Sequence, residues 1–373
     1  MEWVRGNPVG HGSFATVSLA LPKKGYAQDQ DLPLMVVKSC ESFKSSSLKN
    51  EKQVLDQLAN CPQIIRCLGD NHSVENGKEF YNLFLEYASN GSLSDQLKNR
   101  GGPLLESDVR RYAKSILKGL RDVHAKGFVH CDVKLQNILV FDNGTIKIAD
   151  FGLAKKAEQK RSDQENRAEF RGTPLYMSPE SVNHNEYESP ADIWALGCAV
   201  LEMVTAKPAW NCGPQVNICE LLLRIGVGDE VPQVPKELSD EVKDFLGKCF
   251  VKDSRKRWTA EMLLDHPFIA VSGDDHDTVP LDLEDTDKST SPSSPRSPFN
   301  FPDWVSVQSF VSVPCLDITE LSPDSDNLFE WELNSGLDSS ASSRFCSPAD
   351  RLRQLVTDEA PDWSFSESWV TVR

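Results

Sequence analysis

A chain of 373 residues with 56 acidic and 40 basic side chains carries a net charge of -16. The excess is uneven: residues 271–373 hold 20 Asp/Glu against 6 Lys/Arg, a net of -14, which leaves -2 for residues 1–270. The near-neutral part can bury a large core, and the acidic part argues against nucleic acid or an anionic membrane as a partner.

The ten cysteines (40, 61, 67, 131, 198, 212, 219, 249, 315, 346) form no CxxC pair and no regular framework. They are expected as reduced thiols, most of them buried small hydrophobes, in a cytoplasmic or nuclear protein. Met1-Glu2-Trp3-Val4-Arg5-Gly6 runs straight into a glycine-rich segment, so neither a leader nor a membrane span is expected.

Taken in chain order, Val9, Val17 and Leu19, then Leu34 to Val37, predict strands separated by turns. Leu48, Glu51, Val54, Leu55 and Leu58 follow at helical spacing, and Arg66–Leu68 and Tyr81–Leu85 complete a small sheet. Ser89-Asn90-Gly91-Ser92 breaks the pattern and closes a first lobe at about residue 88. Helices dominate from 89 to 270. Val109 to His124 is amphipathic, Ile193 to Leu201 is apolar nearly all round, and Asp240–Phe250 and Ala260–His266 close the lobe. The fold class expected is α+β, with a β-rich lobe joined to a larger helical one and any ligand held in the cleft between them. Beyond Ala270, acidic runs give way to Ser, Thr and Pro at 289–298, a composition that predicts disorder. Aromatic residues such as Phe299, Trp304, Trp331 and Trp363 punctuate this tail and suggest short linear contacts for regulatory proteins.

Four groups of residues carry chemistry. Val9-Gly10-His11-Gly12-Ser13-Phe14-Ala15-Thr16-Val17 can bring backbone N–H groups to phosphate oxygens, with Ala15 where a third glycine is usual. A plain hairpin explains that stretch equally well by itself. Lys38 ends an apolar strand and needs a counter-ion. The helical pattern favours Glu51, although counting alone leaves Glu41 and the neighbours of Lys52 open. His130-Cys131-Asp132-Val133-Lys134-Leu135-Gln136-Asn137 is more specific, and Asp150-Phe151-Gly152 follows it. Phosphoryl transfer needs a carboxylate for the acceptor proton, a cation on the moving group, and amide and carboxylate oxygens on Mg²⁺. Asp132, Lys134, Asn137 and Asp150 supply that set in order.

Over residues 3–270 the chain resembles a eukaryotic protein kinase. Gly172-Thr173-Pro174-Leu175-Tyr176-Met177-Ser178-Pro179-Glu180 resembles that family's substrate segment, with Ser178 in place of alanine, and Asp192 to Gly197 resembles its large-lobe helix motif. The resemblance implies a bilobal kinase domain over 1–270 and ATP with Mg²⁺ as cofactors. It makes Asp132 and Lys134 catalytic, the Lys38–Glu51 pair an anchor for phosphates, and Asn137 and Asp150 metal ligands. Glu86-Tyr87-Ala88 becomes the adenine hinge, Leu85 its gatekeeper, and Arg257 the brace of Glu180. Lys134 with Thr173 implies serine/threonine acceptors, and Ser162 is a candidate regulatory site. The His-Cys-Asp motif and the position of the domain resemble plant MEKK-like MAP kinase kinase kinases. Protein substrates would then be MAP kinase kinases, in a stress or hormone cascade; a MAP kinase kinase tier and a pseudokinase scaffold acting through its tail are the alternatives. Ser291, Ser294, Ser297, Ser322 and Ser347 each precede proline, so proline-directed kinases should phosphorylate this tail when the cascade is active. Mass spectrometry of protein from stimulated cells checks this, and an unmodified tail removes the idea.

Overall fold

The computed structural model describes residues 3–12, 15–23, 34–157, 171–211 and 217–270. Ser13, Phe14, Ser162 and the expected tail at 271–373 lie outside the described residues. The chain divides into Met1–Ser309 and Phe310–Arg373, and every described residue belongs to the first unit.

β1 (Trp3–His11), β2 (Thr16–Pro22), β3 (Met35–Glu41), β4 (Cys67–Glu75) and β5 (Lys78–Glu86) form one antiparallel sheet in the order β1-β2-β3-β5-β4. Alternation along β3 divides its two faces. Met35 and Val37 pack with Ala20, Phe84, Trp3 and Leu68, while Val36 and Lys38 turn the other way, into the cleft. β4 is longer than the expected Arg66–Leu68 strand because Asp70, Asn71, His72 and Ser73 hide its period. Two of them have a use on the Met35 face, where Asn71 and Ser73 accept from the Asn82 amide at 3.1 and 2.8 Å. Arg5 reaches across the sheet to Glu75 at 2.7 Å, Ser39 at 2.7 Å and Asn82 at 2.9 Å, so one guanidinium ties β1 to β3, β5 and β4. α1 (Ser46–Gln57) packs on β3, β4 and β5 through Leu48, Val54 and Leu55.

The larger lobe begins at α2 (Leu93–Arg100), whose start is fixed by a reciprocal cap between Ser92 and Asp95. α3 (Glu106–Ala125) begins a turn earlier than its apolar period suggests, with Glu106 and Asp108 favouring its N-terminus. Short strands follow: β6 (Phe128–Val129) pairs with β9 (Lys155–Lys156), and β7 (Ile138–Val140) with β8 (Ile146–Ile148). These ladders carry too few residues to show a period in sequence. α4 (Pro179–His184), α5 (Ser189–Thr205), α6 (Ile218–Gly226), α7 (Asp240–Cys249), α8 (Ala260–Leu264) and α9 (Pro267–Ala270) complete the lobe. The helix expected over Ala260–His266 stops at Leu264, since the residue before Pro267 is pushed out of helical backbone. α5 is buried continuously from Ala191 to Val204, as its all-round apolarity predicts. Arg257, itself buried, clamps Glu180 with two bonds of 2.6 and 3.0 Å.

α5 also buries a carboxylate. Glu202 is 3% exposed and accepts a hydrogen bond from Tyr176. Burial outweighs that bond and raises its pKa from 4.5 to about 7. As pH rises from 4.5, the unfolded chain releases this proton first. Stability therefore falls between pH 4.5 and about 7, and above that the full cost is about 3 kcal/mol. Glu202→Gln keeps the acceptor and removes the titration. Its stability relative to the parent chain should rise by about that amount between pH 5 and pH 8 in denaturant melts; a pH-independent difference contradicts the assignment.

Candidate active site

A cavity of about 780 Å³ opens between the sheet and the helical lobe. Val9, Ala15, Val17 and Val36 line it from the sheet, Leu139 and Ala149 from β7 and the end of β8, and Leu85, Glu86 and Ala88 from the connection between the lobes. The Glu86 side chain is engaged by Lys147 at 2.6 Å and by the Arg66 N–H at 2.7 Å, and its own N–H donates to the Arg66 carbonyl at 3.1 Å. The Ala88 N–H has no partner among the described residues. A Cβ placed on Gly10 would meet nothing within 4 Å, so the glycine leaves open space beside the cavity.

Lys38 sits at its inner end. Its ammonium bonds Glu51 at 2.8 Å and Asp150 at 2.9 Å, which settles the choice of partner; Glu41 pairs with Lys78 instead. Burial pulls the Lys38 pKa down, and the two carboxylates overcome it to hold the pKa above its ordinary value. For Asp150, burial is again opposed by Lys38, with a net fall to about 2, so it stays ionised. Glu51 is completely buried, and its pKa is raised by burial against the pull of Lys38.

The second cluster is the loop after β6. Lys134 Nζ lies 2.8 Å from Asp132 Oδ2 and donates to Thr173 Oγ1 at 2.8 Å, while Thr173 donates to Asp132 Oδ1 at 2.8 Å. Asn137 uses its amide hydrogens on Asp132, at 2.8 and 3.0 Å. The loop is hung from Asp192 of α5, which accepts from the His130 and Cys131 N–H groups at 2.8 and 3.0 Å and meets His124 at 2.9 Å. Burial works against the Asp192 charge, and these donors keep its pKa below the ordinary range. Gly172 has φ +94, and a Cβ there would lie 2.4 Å from the Cys131 oxygen. Only glycine allows Thr173 to reach Asp132.

The residues fit Mg-ATP. Asn137 spends its hydrogens on Asp132, and one oxygen of Asp150 is spent on Lys38. The Asn137 side-chain oxygen and Asp150 Oδ2 are left without donors among the described residues. An amide and a carboxylate oxygen are ligands suited to a hard cation that also takes phosphate oxygens. The sequence-predicted Lys38, Glu51, Asp132, Lys134, Asn137, Asp150 and Thr173 are thus brought together, with Val9, Gly10, His11, Gly12, Ala15, Val17, Glu86 and Ala88 on the cavity wall. Thr16 faces His11 across the hairpin at 3.4 Å. Sequence reasoning missed Ser47 and Asn50 of α1, which donate to the carbonyls of Gly152 at 3.2 Å and Ala154 at 2.8 Å. Their only signal was position, each standing one residue before a member of the Leu48-to-Glu51 stripe.

Residues 3–269 match the protein kinase domain family. The chain is 50% identical to mitogen-activated protein kinase kinase kinase 20 of Arabidopsis thaliana over the full length of both proteins. It is 37% identical to kinase kinase kinase 17 of that plant over 89% of this chain and 84% of the relative, and 40% identical to number 18 over 72% and 78%. The chain belongs to the protein kinase family, as a serine/threonine kinase of the plant mitogen-activated protein kinase kinase kinase group.

Proposed function

We propose that this kinase phosphorylates serine and threonine side chains of MAP kinase kinases, using the cleft from Lys38 to Thr173. One observation carries the reading: Asp132, Lys134 and Thr173 form a closed triangle of 2.8 Å contacts, beside the Lys38–Asp150 pair. Mg-bound ATP supplies the transferable γ-phosphoryl group and the metal's neutralising charge. Asp132 orients the acceptor hydroxyl and takes its proton. Lys134, held between Asp132 and Thr173, places a fixed cation where the moving group gathers charge. Lys38 holds the phosphates, Asn137 and Asp150 hold the metal, and the backbone of Glu86 and Ala88 holds adenine. The intact set argues against a pseudokinase, and the relatives carry the upper-tier name.

The catalytic domain is proposed to span 1–270, with lobes meeting near residue 88, and the tail 271–373 to recruit regulators. Free thiols at Cys40, Cys61, Cys67, Cys131, Cys198, Cys219 and Cys249 fit a cytoplasmic or nuclear site. No helix among the described residues is long and apolar enough to cross a membrane.

Cys131 stands where many kinases carry an arginine that receives an activation-loop phosphate. Burial first, then Asp192, pushes its thiol well above the ordinary range, so it is protonated and unsuited to redox sensing. It cannot bind phosphate in a bidentate way. Activity is accordingly proposed to depend little on loop phosphorylation, with Ser162 dispensable.

Two outcomes follow. Lys38→Met should abolish transfer to a MAP kinase kinase while the chain still folds, with its melting transition lowered because buried Glu51 loses its counter-ion, and Asp132→Asn should be equally silent. A Lys38→Met activity within about threefold of the parent contradicts the assignment. Separately, phosphatase treatment of bacterially produced protein should leave most of the activity. Loss of most of it would show phosphate control surviving without the arginine.

A further inference from the structure

The outward side of α3 carries an unused charge pattern. At 100° per residue, Arg110, Arg121, Lys114, Lys118 and Arg111 fall within an arc of about 100°, with no acidic residue between them. From Arg110 to Arg121 the stripe runs about 16 Å. Lys118, Arg111 and Arg121 are exposed, and Arg110 and Lys114 half-buried. Arg111 and Arg121 have partners in Asp108 and Asp122. Arg110, Lys114 and Lys118 have no carboxylate among the described residues. Arg110 Nε is buried without a hydrogen-bond partner, and its guanidinium lies 5.4 Å from the Phe268 ring of α9.

That contact puts the stripe at the place where the chain leaves the kinase domain, since α9 ends at Ala270. The next residues are oppositely charged. Asp274, Asp275, Asp277, Asp282, Glu284, Asp285 and Asp287 occur with no Lys or Arg among them.

We propose that the acidic segment Asp274–Asp287 docks in cis along the α3 stripe, with its first aspartates at Arg110 and its last toward Arg121. Reach is ample: Asp274 follows Ala270 by four residues, about 14 Å when extended, and Asp287 by seventeen. Tethering gives the segment a high effective concentration at the stripe, and the tail's net charge of -14 repels any competing polyanion. The pairing is independent of the transfer chemistry. It places the root of the tail on the helical lobe and leaves the distal aromatic residues for other contacts.

The test is zero-length carbodiimide cross-linking of the dilute full-length chain, with peptide mapping. Lys114 and Lys118 should couple to carboxylates of 274–287 within one chain, and the yield should fall at least about threefold between low and high salt. Arg110→Glu with Arg121→Glu keeps both lysines and should lower the yield about as much. Because Arg110 also packs on Phe268, a second variant reverses charge outside the folded domain: Asp282→Lys, Glu284→Lys and Asp285→Lys should have the same effect. The proposal is overturned by coupling spread evenly over surface lysines, or by a yield unchanged in the tail variant. It is equally overturned by coupling found only between chains, which makes the occupant a second copy, or by coupling lost to anionic vesicles or RNA at equal charge.

Discussion

One ammonium group organises the cleft. Lys38 Nζ is neutralised from two directions, by Glu51 of α1 at 2.8 Å and by Asp150 at 2.9 Å, so strand, helix and the segment after β8 meet at a single charge. Glu51 is fully buried, and removing either partner of such a pair leaves an uncompensated charge costing about 3–5 kcal/mol. Further contacts follow from this one. Glu51 also accepts from the Phe151 N–H at 3.3 Å, and Asn50, one residue earlier, takes the Ala154 carbonyl. The orientation of α1 and the conformation of Asp150-Phe151-Gly152 are therefore one variable rather than two.

The other fixed point lies below, at Asp192. Its carboxylate holds two successive N–H groups of the His130–Cys131 turn, and that turn contains Cys131 at φ 67. Asp150 has φ 65. Left-handed backbone costs a residue with a side chain about 1–2 kcal/mol, and in each case named bonds retain it: Asp192 for Cys131, Lys38 for Asp150. Strain of this kind aims side chains that relaxed backbone would turn away. Asp132 follows directly after Cys131, and its two oxygens receive Thr173, Lys134 and Asn137 from three separate positions along the chain.

Much of this was legible in the chain before any coordinates. Asp132, Lys134, Asn137 and Asp150 stand out because phosphoryl transfer requires those groups in that order, and α5 stands out because Ile193 to Leu201 is apolar nearly all round, as a helix buried from Ala191 to Val204 requires. Glu51 was favoured by helical spacing but became certain only with a distance. Other features resisted for physical reasons. The network around Arg5 joins residues 34 to 77 positions apart, and side chains of that kind read as solvated surface in a one-dimensional pattern. Ser47 and Asn50 act through carbonyls a hundred residues away, which no local period records. Glu202 falls one residue beyond the apolar run Ile193–Leu201 and carries no signal of its own; its burial against Tyr176 belongs to the packing of two distant segments.

The clamp on Phe151 bears on small-molecule selectivity. Its ring is wholly buried, edge-on to His130 at 4.6 Å, and α1 grips the adjoining backbone from three side chains. Gly152 is pressed so close to α1 that a Cβ would stand 2.4 Å from Ser47 Oγ. Inhibitors that need the phenylalanine swung out of its pocket must first release Ser47, Asn50 and Glu51, whereas inhibitors that fill the adenine end beside Leu85 and Ala88 disturb none of them. The ratio of affinities between those two chemotypes should favour the second more strongly here than in a kinase whose helix lacks the serine and asparagine.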